Sequence, residues 1–298
     1  MNVISGMLKY LYRCVQNSQQ VLSMNRRNLN YIYPHNARAD YPIADDKVRT
    51  KRLLQRAGVP LAKTHIVYEH FYQLRHLPRD LSALNEFVIK PASGSRGGGI
   101  VVLAEKRDDH WLTLNGTIYN HERLRKHISD ILFGVYSLGL QDSAIVESRV
   151  RQHDSLARLS PHGLADVRII VFRGQAVMAM LRLTTAASKG RANIHQGAIG
   201  VGLDMSSGTT REAILHGRAI LRHPDNGTPL NGVPVPHWRF VMDTALKTAA
   251  VVPLEYIGVD IAIADQGPLV LEINARPGIE IQNANREGLR GRLASFAS

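Results

Sequence analysis

Residues 258–278, GVDIAIADQGPLVLEINARPG, constrain this chain more than any other stretch, because they place three oxygen-bearing side chains on one face of a β-hairpin. IGVDIAIA and PLVLEIN are rich in apolar and β-branched residues, and Asp265-Gln266-Gly267 between them reads as a three-residue turn. With Ala264 paired to Pro268, Asp260 falls opposite Glu272. Asn274 lies two residues further on and shares that face, since strand side chains alternate. Two facing carboxylates in apolar strands repel, and burying them unpaired is costly. A hard cation between them relieves both problems, and carboxylate plus amide oxygens are what magnesium takes. The plainer alternative is a hairpin with a solvated acidic face.

The 298 residues suffice for one large or two medium domains, and the 44% hydrophobic content is that of an ordinary globular protein. A single cysteine, Cys14, rules out an intrachain disulfide and a cysteine-based zinc site. No apolar run is long enough for a transmembrane span and no signal-peptide core is visible, so a cytoplasmic protein is expected. The net charge of +12 is uneven: residues 1–60 hold ten Lys/Arg against three acids. That excess points to an anionic partner such as a nucleotide, an acidic peptide, RNA or anionic lipid, with no specific nucleic-acid motif beside it. MLKYLYRCVQNSQQVL reads as a helix. Its apolar positions Met7, Leu8, Leu11, Tyr12 and Val15 suit packing on its own domain, or a peripheral membrane contact.

Further along, Asp45 or Asp46 caps a helix, DKVRTKRLLQRA, that stops at Gly58. THIVY, EFVIK and IVVL read as strands, the last two joined through PASGSRGGG as a hairpin loop. Residues 120–139 read as helix and SAIVESRV as strand, followed by an irregular polar stretch, Arg151 to Ala165. DVRIIVFRG and QAVMAMLRL form a strand pair, TTAASKGRANIHQGA a loop, and HWRFVMDTALKTAAVV a long helix. Hairpins with interleaved helices predict an α+β fold with largely antiparallel sheets. Its divisions are a basic, helical N-terminal segment (1–44), one subdomain over 45–146 and a second, holding the metal site, over 147–298.

Lys90, at the end of a strand, places an ammonium beside a loop whose glycines allow close backbone approach to phosphate oxygens. This differs from a Walker loop, in which the Lys follows the glycines and opens a helix. Lys47, Arg49, Lys51 and Arg52 also read as a solvated basic helix face, and Glu147 as an exposed edge charge. Asp166 and Arg168 share a strand face, with Arg182 on the next strand, as an ion pair or a ligand site. Arg276, beyond Asn274, can reach an anion at the metal face or neutralise Glu280.

Taken in order, NRRN, DDKVRTK, VIKPASGSRGGG, ADVRIIVFRG, ANIHQGA, GVDIAI and LEINARPGIEIQNANREGL resemble the ATP-grasp ligases. They are most similar to the ribosomal-protein-modifying type of α-L-glutamate ligase. The resemblance implies two α+β subdomains gripping ATP between antiparallel sheets. It implies that Lys47 and Lys90 contact the nucleotide, and that the loop carrying Ser93, Gly94, Ser95, Gly97, Gly98 and Gly99 covers the β- and γ-phosphates. Glu147 would sit at the adenine hinge and Asp166 at the ribose, with Arg182 and Asn193 near the γ-phosphate. Asp260, Glu272 and Asn274 would hold two Mg2+ ions, for which Mn2+ could substitute, and Arg276 would stabilise an acyl phosphate.

The expected activity is ATP-dependent joining of a carboxylate to an amine through an acyl phosphate, with Lys90, Arg182 and Arg276 as catalytic groups and glutamate or another amino acid added to a peptide or protein. The rivals are a nucleotide-binding module without turnover in a peptide- or envelope-modification complex, a kinase on the same fold, and non-specific RNA binding. Two departures from the glutamate ligases bear on the substrate. Only about 45 residues precede the Lys47 helix, where those enzymes carry an α/β domain, and NARPG replaces their small-residue version.

Overall fold

The computed structural model describes residues 19–94 and 97–296; the helix expected around Met7 to Val15 and the loop residue Ser95 lie outside them. Two antiparallel sheets organise the chain. The first has the order β1-β6-β2-β3-β4-β5, built from β1 (Thr64–Tyr68), β2 (Phe87–Pro91), β3 (Val101–Arg107), β4 (His110–Thr113), β5 (Ile118–Asn120) and β6 (Ala144–Glu147). The second has the order β11-β10-β9-β8-β7-β12-β13, built from β7 (Asp166–Phe172), β8 (Gln175–Leu183), β9 (Ile199–Leu203), β10 (Thr210–Leu215), β11 (Arg218–Ile220), β12 (Tyr256–Ala264) and β13 (Gly267–Asn274). The architecture is the α+β class expected.

Each sheet has its own core. Phe87, Ile89, Leu103 and Trp111 pack with Leu124, Ile128 and Ile131 of the His121–Leu132 helix, whose three- and four-residue spacing puts its apolar side chains on one face. In the second core β7, β8 and β12 meet Val241 and Ala245 of the Trp238–Val251 helix. Leu22, Ile32, Tyr41, Leu54 and Val59 belong to this second core, so it crosses the division drawn at residue 44. Asn36 ties that segment down: its buried amide donates to the Tyr256 carbonyl at 2.7 Å and the Ala275 carbonyl at 3.0 Å, and its oxygen accepts from the Tyr256 amide.

Asp46, not Asp45, caps the Lys47–Arg56 helix by accepting from the Val48 and Arg49 amides. The hairpin reaches its register by a different route from the one expected. Ala264 pairs with Gly267 and Ile263 with Pro268, and a bulge at Leu271 then restores Asp260 opposite Glu272. Gly267 takes φ +124°, a region open to glycine.

The helix expected over 120–139 ends at Leu132, where the chain turns through Gly134 at φ +81°. The short strands β4, β5 and β9–β11 were not anticipated. In β9 two glycines break the apolar run, and they serve a packing purpose: a Cβ on Gly202 would stand 2.7 Å from the Ala284 carbonyl oxygen in the Glu280–Asn285 helix.

Candidate active site

Four strands of the second sheet carry the acidic and basic groups in two rows. Arg168 on β7 pairs with Asp260 on β12, which pairs on its other side with Glu272 on β13; one step along, Asp166 pairs with Arg182 on β8. Arg168 grips Asp260 with two bonds, Nε to Oδ1 at 2.7 Å and Nη2 to Oδ2 at 2.5 Å. Arg182 holds Asp166 the same way, at 2.5 and 2.8 Å, and also reaches Asp260 Oδ2 at 2.8 Å. Such forked pairs fix both geometry and charge. Asn274 donates its amide to Asp260 at 3.3 Å, which leaves its carbonyl oxygen available as a ligand.

Glu272 differs from Asp260. Its side chain is 37% exposed, and its cationic neighbours stand off, Lys47 at 3.8 Å and Arg168 at 4.0 Å. Lys47 also donates to the Gly94 carbonyl at 2.9 Å, so one ammonium spans the glycine-rich loop and the acidic hairpin. Gly97 approaches the second lobe as well: a Cβ there would lie 3.4 Å from Arg191 Cδ.

Behind the loop, Glu147 is buried between Lys90, at 2.6 Å, and Lys51. This corrects two expectations. Glu147 lies on β6, an inner strand between β1 and β2, and so is no edge charge. Lys51 is only 9% exposed and donates to the Ala62 carbonyl at 2.9 Å, so the Lys47–Arg56 helix has no uniformly solvated basic face. The four-residue spacing from Lys47 was the available signal, since it puts both ammoniums on one helix side.

Arg276 also departs from expectation. Its guanidinium meets both oxygens of Asp45, at 2.9 and 3.1 Å, and lies over the Tyr41 ring at 4.8 Å, whereas Glu280 accepts from Asn283. Both partners of the Arg276–Asp45 pair are half exposed, so the contact is weak and exchangeable. Asn193 caps the turn at Ile194–Gln196 through its side-chain oxygen, on the loop that also carries Arg191. Ser93 gives its amide to Asp142 at 2.9 Å, which removes that donor from the set available to phosphate. Reasoning from sequence missed the grip of Arg168 on Asp260, which pairing β7 with β12 would have exposed.

Burial pushes Asp166 up to about 6, against the pull of Arg182 and with help from Asp260. Burial also works to raise Asp260, but Arg168 and Arg182 overcome it and hold that carboxyl below the usual range. Glu147 behaves likewise: burial would raise it, and Lys90 and Lys51 together bring it below its ordinary value. A carboxylate with a depressed folded-state value contributes stability above its unfolded value, and that stability is lost as pH falls through the folded value. Asp166 has the opposite sign, its contribution fading as pH rises through about 6. Urea unfolding is therefore expected to show stability falling on acidification below about pH 4.5, the reference carboxyl value, and this limb should be shallower in Glu147→Gln.

The donor set suits a hard cation. Glu272 has free acceptor capacity, Asn274 has a free amide oxygen, and Asp260 Oδ1 has a single hydrogen-bond donor among the described residues. Among the described residues no group of three or more His, Cys, Asp or Glu side chains gathers to hold a metal ion.

Two antiparallel lobes, a glycine-rich hairpin loop against lysines, and an acidic hairpin opposite it define an ATP-grasp protein. The family described as sugar-transfer associated ATP-grasp matches residues 26–298, and the chain belongs to it. A probable alpha-L-glutamate ligase of Thioalkalivibrio sulfidiphilus is 28% identical over 274 residues, which cover 89% of this chain and 67% of that protein. A ribosomal protein bS6--L-glutamate ligase of Salmonella newport is 27% identical over 271 residues, with the same coverage. Among solved structures, an ATP-grasp RimK domain protein from Sphaerobacter thermophilus superposes with a TM-score of 0.49 at 13% identity, over 88% of this chain and 70% of that one. The ATP-grasp ligase PsnB with its minimal precursor gives 0.46 at 17% identity, over 88% of this chain and 62% of that chain. The chain thus spans about two thirds of the curated relatives and less of PsnB. Among the described residues no helix is long and apolar enough to cross a membrane.

Proposed function

We propose that this chain is an ATP-dependent carboxylate–amine ligase. The observation that carries the reading is the Lys47 ammonium, placed between the Gly94 carbonyl and Glu272, because it joins a phosphate-binding loop to a cation-binding face. Glu272, Asn274 and Asp260 would hold magnesium, which supplies charge neutralisation at the transferring phosphoryl group. Lys47 and Arg191 stand where phosphate oxygens approach the loop, and Glu147 holds the Lys90 ammonium in place behind it. Asp166 and Arg182 act on the reaction by fixing Asp260, while Arg276 leaves Asp45 for the acyl phosphate.

In the first step a substrate carboxylate oxygen bonds to the γ-phosphorus, and the bond to ADP breaks with its electron pair leaving on ADP. In the second an amine nitrogen bonds to the carbonyl carbon and the carbon–oxygen bond to phosphate breaks. Of the two protons the ammonium sheds, one leaves on hydrogen phosphate and one passes to solvent. Positioning and fixed charge supply most of the acceleration. The family's association with sugar transfer, together with the departure at NARPG, favours a carboxylate or amine carried on a sugar-containing acceptor over a ribosomal-protein tail.

Magnesium-dependent ADP release with hydroxylamine, across a panel of amino acids, sugar acids and acidic peptides, tests this. A hydroxamate from one carboxylate is the expected result. A stable phosphorylated product in place of an amide would make the protein a kinase, and absence of ATP binding would overturn the reading.

A further inference from the structure

Asp142, met above only as the acceptor of the Ser93 amide, is 5% exposed, and it has no cationic partner among the described residues. A buried carboxylate in that position must be hydrogen-bonded. Its Oδ1 accepts from the Ser93 amide at 2.9 Å and the Ser143 amide at 2.7 Å, and its Oδ2 accepts from the Ser137 hydroxyl. Ser93 opens the glycine-rich loop. The other end of that loop meets the same turn: Gly99, at φ +75°, lies flat on the Tyr136 ring, where a Cβ would come within 2.7 Å of ring carbons. Its carbonyl is 2.9 Å from His127 Nε2. The segment 127–142 therefore holds both described ends of the loop, Ser93 through Asp142, which Ser137 braces, and Gly99 through Tyr136 and His127.

We infer that Asp142 is a positioning residue of the nucleotide site, which sets the glycine-rich loop for phosphate through Ser93 without touching the nucleotide. The inference rests on the ATP-binding reading above. A glycine-rich loop loses more chain entropy on ordering than any other sequence, so anchoring its ends in advance leaves less to be lost when phosphate binds. Asp142 uses the Ser93 amide as an anchor. The Ser137 hydroxyl fixes the carboxylate's second oxygen, and the turn that presents it is itself closed by the Ser137 amide to the Gly134 carbonyl at 2.9 Å and the Gly139 amide to the same carbonyl at 3.0 Å.

The test uses the full chain with Mg2+ and the non-hydrolysable nucleotide AMPPNP as probe, reading affinity by calorimetry and amide exchange over residues 93–99. Asp142→Ala is expected to weaken AMPPNP binding about tenfold or more, the scale seen when a contact behind a ligand is removed, with faster exchange at Ser93 and unchanged exchange in β7 and β12. Asp142→Asn keeps an oxygen for both amides and an NH2 for the Ser137 hydroxyl, and should restore most of the affinity. Ser137→Ala, which keeps the carboxylate, should fall between them and serves if Asp142→Ala does not fold. Affinity within about twofold of wild type in Ser137→Ala and Asp142→Ala, or an equal loss in Asp142→Asn, would overturn the inference. If the wild type itself binds no AMPPNP, it is the ATP reading that fails, and Ser93 exchange alone then decides whether Asp142 anchors the loop.

Discussion

Glu272→Gln is expected to lower turnover by at least about 100-fold while leaving the protein folded, a magnitude set by the loss of a directly bound cation ligand. The fold should tolerate the change because Glu272 is 37% exposed and no cation lies closer than 3.8 Å. Stability should therefore shift by no more than about 0.5 kcal/mol. Asp260 offers no such clean experiment. It is 1% exposed and holds Arg168 and Arg182 together, so Asp260→Asn would take the forked partner from Arg168 and weaken the third bond of Arg182, as well as remove a ligand. Steady-state turnover beside a thermal unfolding curve separates the two effects for Glu272→Gln. Full activity in that variant would remove the cation site from the hairpin.

The part of this site that was legible in the sequence is the part written in strand periodicity. Asp260, Glu272 and Asn274 come together because alternation and pairing leave few other arrangements, even though a tighter loop and a bulge at Leu271 replaced the expected turn. The glycine-rich hairpin loop was legible for the same reason: EFVIK and IVVL can only pair across it, as Phe87 with Leu103 shows. What was not legible depends on which strands become neighbours. The order β1-β6-β2 buries Glu147 between two lysines, and nothing local to SAIVESRV signals an inner strand. Arg168 reaches Asp260 across 92 residues of chain, and Arg276 finds Asp45 across 231. Strand β9 escaped notice because its glycines look like loop residues until the Glu280–Asn285 helix is laid against them.

Removing Glu147 should be the most damaging single change to stability in the first lobe. Its carboxylate balances Lys90 and Lys51, all three being buried, and breaking such an arrangement from the shared side leaves two ammoniums uncompensated. Loss of one partner from a buried pair costs about 3–5 kcal/mol, and Glu147→Ala is expected at or above that range. Lys51→Met should cost far less, because Glu147 and Lys90 remain as a matched pair and burial already lowers the Lys51 pKa, which disfavours its charged form. Nucleotide affinity should separate the variants again. Glu147→Ala frees Lys90 to move and weakens binding, whereas Lys51→Met leaves the Lys90 contact at 2.6 Å in place. Denaturant unfolding of the two variants measures the asymmetry; equal losses would mean that Glu147 serves each lysine independently, and that the pair behind the glycine-rich loop does not act as one unit.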